Sequence, residues 1–175
     1  MNARANRSMQ ELLGPDAESP ERVSSECPTP LAAELQDGFK EVNGCVVPKL
    51  FDGGPIWSTT RPQVDGEDDE TGFECSLSKI HVEDFAGSAL PLADIARLGI
   101  AYALQLRVAL LRSFNSGVFR IIIDAQLPDP DFDVNGGVCT VRHHKVRAGQ
   151  PWLLDDLNAY KLNGVMVIEF EAGEQ

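Results

Sequence analysis

This sequence is short of basic charge, of closely spaced cysteines and of recognisable catalytic signatures. Lys and Arg number 15 against 27 Asp and Glu, for a formal net charge of −12 and a sequence pI of about 4.6. Phosphate contacts need clustered Lys and Arg, so nucleic-acid binding is not expected, nor is docking on an anionic membrane. The four cysteines, Cys27, Cys45, Cys75 and Cys139, stand far apart with no CxxC pair, which sets aside a zinc ribbon or a thioredoxin-type motif. No apolar segment follows Arg4 and Arg7 as it would in a signal peptide, so a cytoplasmic protein with reduced thiols is expected. There is no P-loop, G-x-G-x-x-G, G-x-S-x-G or H-E-x-x-H. That removes the nucleotide, hydrolase and metalloprotease readings that carry such signatures, though not every enzyme. No cofactor is expected.

What the sequence does have is apolar content and one long helical pattern. Its 175 residues are 43% hydrophobic, enough for one core with a tail or an extra lobe. From Pro91 to Phe114 the polar residues Asp94, Arg97, Gln105 and Arg112 project onto one narrow stripe at about 100° per residue. The rest is broadly apolar, with Gly99 and Ala103 in the middle of that face, where small side chains allow a close approach. A helix this apolar needs cover on more than one side, from this chain or from a second copy, so a homodimer is one expectation. Arg107 interrupts the apolar face, and Arg97, Gln105, Arg107 and Arg112 together rule out a membrane span.

Residues 1–30 are rich in Ser, Pro, Glu and Asn and read as a disordered tail. Residues 31–72 read as an N-terminal extension: a short helix over Leu31–Phe39, a strand over Gly44–Phe51 and an acidic loop over Gln63–Gly72. Residues 73–175 read as an α+β core. Strands are expected over Phe73–Val82, Val118–Asp124, Gly137–Val146 and Gly164–Glu171, and a second, short helix over Pro151–Tyr160. The order is β-α-β-β-α-β around an antiparallel sheet, which is the ferredoxin-like order; a different α+β meander is the alternative.

Three constellations carry chemistry. In the loop Asp129–Gly136, Asp131, Asp133 and Asn135 have the alternating oxygens of a calcium loop, but Arg142 stands where a bidentate Glu is required. They are therefore a fragment of a cation loop, and no metal is expected. Cys139 and His143 share one face of their strand, and Cys75 and His81 would have to join them to make a zinc site. Arg120, Thr140, Arg142 and His144 share the other face, where Glu169 can meet them as a cross-strand charge ladder.

The leading expectation is a non-enzymatic acidic protein of the immunity, inhibitor or chaperone kind. It would bind a basic partner protein through Asp65, Glu67, Asp68, Asp69, Glu70, Asp129, Asp131, Asp133 and Trp152. The alternative is a small enzyme or anionic-ligand-binding domain using Arg120, Arg142, His143 and His144, with histidine as acid or base.

Overall fold

The computed structural model describes residues 1–51, 69–86, 90–127 and 137–173. The fold is α+β: a five-stranded antiparallel sheet and a separate two-stranded hairpin, with one helix much longer than the rest.

That helix, α5 (Leu92–Ser113), forms where the apolar periodicity puts it, with Asp94 in its first turn and Arg112 in its last. It lies on one face of the sheet, burying Ile95, Ala96, Ile100, Ala103, Leu106 and Leu110. Gly99 sets how closely it lies: a Cβ there would stand 2.9 Å from Cys139 Sγ and 3.5 Å from Ile123 and Val141. Arg107 keeps its charge over an aromatic face, its guanidinium carbon 5.5 Å from the Phe170 ring centroid.

The sheet runs β1 (Asn2–Ala5), β7 (Asn163–Ala172), β5 (Gly117–Gln126), β6 (Val138–Lys145), β4 (Ile80–His81). Pleat alternation then sorts the side chains. Phe119, Ile121, Ile123, Cys139, Val141, Met166 and Ile168 face α5. Ile122, Val165 and Val167 face the opposite side, where Leu157, Trp152, Leu153 and Tyr160 cover them.

Several expectations need correction. Residues 1–30 are part of the fold: β1 pairs with β7, and α1 (Arg7–Leu13) buries Met9 and Leu13. The buried Asn6 side chain joins them, accepting from the Met9 and Val165 amides and donating to the Asn163 carbonyl at 2.8 Å. Polar composition concealed this because a few apolar residues at the right spacing suffice to dock a short helix. Two further short helices follow, α2 (Pro20–Val23) and α3 (Thr29–Ala33). The helix expected to Phe39 stops at Ala33, and Phe39 opens β2 (Phe39–Val42). β2 pairs with β3 (Cys45–Pro48) across Asn43–Gly44, where both residues have positive φ, the two-residue hairpin turn that matches strand twist.

The first half of the strand expected over Phe73–Val82 is instead the end of a helix, α4 (Glu70–Leu77), and the two-residue β4 follows. Asp69 caps α4 by accepting from Gly72 N at 2.7 Å. Consecutive residues Thr71 to Cys75 are all buried, so no amphipathic period was left to read. The helix expected over Pro151–Tyr160 is a single 3-10 turn, Leu157–Ala159. With no second crossover helix, β7 lies beside β5, where the ferredoxin-like order would put it beside β4, so that arrangement does not form.

Candidate functional site

The face of the sheet away from α5 carries the polar constellation that alternation predicts. In register, Arg120 stands between His144 on β6 and Glu169 on β7. Its Nη2 donates to Glu169 Oε2 at 2.7 Å. His144 is 1% exposed, and its Nδ1 donates to the Lys145 carbonyl at 3.0 Å, which leaves Nε2 as a buried acceptor without a partner. Burial pulls its pKa down to about 4, against the Lys145 carbonyl bond, which raises it.

Just beyond, where β6 runs out, sits a buried ion pair. The Glu74 carboxylate on α4 is fully enclosed and accepts from Arg147 at 2.6 and 2.8 Å and from the Lys145 amide at 2.8 Å. It also accepts from Val46 N, while Arg147 donates to the Gly44 carbonyl. One carboxylate thus ties α4, the β2–β3 hairpin and the end of β6 together. Burial lowers the Arg147 pKa, but the Glu74 hydrogen bonds and charge outweigh it and leave it above its ordinary value.

The other end of the same face is open. Lys79, His81, Asp124, Gln126, Val138, Thr140, Arg142 and Asn163 line a pocket of about 140 Å³. The antiparallel register explains why they meet: His81 is opposite Thr140, Thr140 opposite Asp124, and Gln126 opposite both Val138 and Asn163. His81 Nδ1 is 3.0 Å from Glu83 Oε1, and Asp124 accepts from Asn163 Nδ2. Arg142 has no ion-pair partner among the described residues, and its Nε is buried without a hydrogen bond.

The four residues of the anion-site expectation therefore separate. Arg142 lines the pocket, Arg120 is held by Glu169, and His144 lies buried on the same face. His143 points to the other face, edge-on to Phe39 at 4.9 Å, and burial pushes its pKa down to about 3. With pKa values this low, neither histidine is matched to acid–base work near neutral pH. Lys79, Asp124 and Asn163 were missed; the signal available was the pairing of Asp124 with Thr140 that follows from aligning β5 and β6.

The other candidate residues are scattered. Asp69 is spent on capping α4, and Glu70 accepts from Gln150 Nε2 at 2.6 Å. Trp152 is half-buried over Val165 and Val167. Asp65, Glu67, Asp68, Asp129, Asp131, Asp133 and Asn135 lie outside the described residues. Cys75 is on α4, while His81 is on β4 and faces away from Cys139 and His143; no group of three or more metal-ligating side chains occurs among the described residues. On the outer side of α5, Ala32, Leu35, Leu104 and Val108 border an apolar groove of about 500 Å³. Among the described residues no helix is long and apolar enough to cross a membrane.

The chain belongs to the family described as "Uncharacterized protein PM0498 family", whose sequence model matches residues 4–174. No curated protein and no solved structure matches it significantly.

Proposed function

We propose that this chain is a binding domain that holds a small anion in the pocket around Arg142. The observation that carries the reading is an arginine lining a pocket with its Nε buried and no carboxylate partner among the described residues. The neighbouring arginines of this face, Arg120 and Arg147, each have one. A guanidinium is a planar fork suited to carboxylate and phosphate oxygens, and Lys79 and Thr140 supply further donors at the same pocket. Isothermal titration with sodium phosphate and sodium acetate tests the proposal. Binding to the wild-type chain that is lost in Arg142→Gln supports it, and no heat with either anion, nor with a carboxylate that also carries an ammonium group, overturns it.

A net charge of −12 favours a second reading, an acidic protein that binds a basic partner through carboxylates. Its test is co-purification from the native host at low and high salt; no partner at either salt sinks it. A cytoplasmic setting suits both readings, because Cys27, Cys45 and Cys139 are thiols outside any disulfide. A second copy packing on the Leu104–Val108 groove is the homodimer reading, checked by light scattering across a concentration series.

A further inference from the structure

We infer that the ligand of this pocket is amphoteric: a small molecule with one anionic and one cationic group, of the size of glycine or alanine. The inference rests on the anion-binding reading and adds the second group.

It follows from how Arg142 and Asp124 are placed. Thr140 is paired with Asp124 and Arg142 with Ile122, so Arg142 and Asp124 are diagonal neighbours on adjacent strands, facing the same side. Opposite charges at such positions lie within reach of each other when one side chain is as long as arginine. Here they do not pair: Asp124 accepts from Asn163, and Arg142 has no ion pair among the described residues. Both line the same pocket. A guanidinium and a carboxylate that face one space without touching present a donor fork on one side and an acceptor on the other. A simple anion satisfies Arg142 but sets a second negative charge near Asp124. A simple cation does the reverse. A molecule carrying both charges a short distance apart meets each with its opposite.

Size narrows the class. A pocket of about 140 Å³ holds roughly four or five waters at about 30 Å³ each. Drug-sized ligands are enclosed by pockets of roughly 300 Å³ or more, so this pocket takes in a small molecule or the charged end of a larger one. Val138 is the one apolar residue in the pocket wall.

The test is isothermal titration of the full chain with glycine, acetate, methylammonium and phosphate, each as the sole added solute. Glycine is expected to bind, with acetate and methylammonium each weaker by roughly tenfold or more, the loss that follows removal of one charged hydrogen bond. Asp124→Asn, which keeps an oxygen for Asn163, is expected to weaken glycine by a similar factor and to strengthen acetate, because the charge that repels a simple anion is gone. Acetate or phosphate binding as tightly as glycine overturns the amphoteric inference and leaves the anion reading standing. Methylammonium binding best, or no binding by any of the four, overturns both. The comparison among ligands needs only the wild-type chain, so it decides the matter even if the variant fails to fold.

Discussion

The two ends of one sheet face use the same residue type in opposite ways. At the end of β6, Arg147 is closed onto Glu74, with Arg120 bonded to Glu169 nearby, and backbone groups of β6 and of the β2–β3 hairpin complete the Glu74–Arg147 cluster. At the other end, Arg142 lies among Lys79, Thr140 and Asp124 in a pocket, with no carboxylate on it. A buried carboxylate with all its donors supplied is a structural joint. A guanidinium left without its counter-charge beside a cavity keeps its hydrogen-bonding capacity for something outside the chain.

The contrast breaks most severely at Glu74. Glu74→Ala leaves Arg147 buried without its partner and is expected to destabilise the chain by about 3–5 kcal/mol, read from urea unfolding. Acidification acts on the two histidines beside the joint. Folded, His143 titrates near 3 and His144 near 4, both depressed first by burial; unfolded, each returns to about 6.5. The unfolded chain therefore binds more protons between those limits. The stability of each histidine's neutral form is intact above about pH 6.5 and is lost as pH falls toward the folded values, at up to about 1.4 kcal/mol per pH unit for each. Urea unfolding at pH 7, 6 and 5 checks this, and His144→Gln is expected to reduce the slope by roughly half.

A smaller effect is expected on the α5 side of the sheet. Gly99→Ala drives a methyl against the buried Cys139 Sγ and is expected to cost about 1–3 kcal/mol despite the better helix propensity of Ala. Glu169→Gln loosens a pair whose carboxylate is 37% exposed, for a loss of at most about 1 kcal/mol. Arg142→Gln breaks no ion pair among the described residues and is expected to change stability by less than about 1 kcal/mol, measured by thermal unfolding. If Arg142→Gln proves as damaging as Glu74→Ala, the two ends are alike and the contrast fails.

How legible each part was depends on how strongly local pattern reflects burial. β5, β6 and β7 are β-branched and alternate cleanly, so their faces, including the meeting of Arg120, His144 and Glu169, follow from parity alone. The width of the apolar face likewise foretold the close seating of Gly99. α4 did not show, because a buried glutamate and its neighbours erase the helical period, although Asp69 before Glu70 was a usable cap signal. Asn43–Gly44 was a usable hairpin signal that composition upstream obscured. Parity placed Arg142 on the correct face, but Lys79 and Asp124 joined it only through strand register, which depends on which strands are neighbours.

The most direct test is to titrate glycine into isotope-labelled chain and follow the backbone amide and arginine Nε–H resonances by NMR. The account predicts saturable shifts at Arg142, Thr140, Lys79, Asp124 and Asn163, with Arg120 and Arg147 unmoved. Shifts centred on Arg147 or Arg120, or no saturable shifts anywhere, would contradict it.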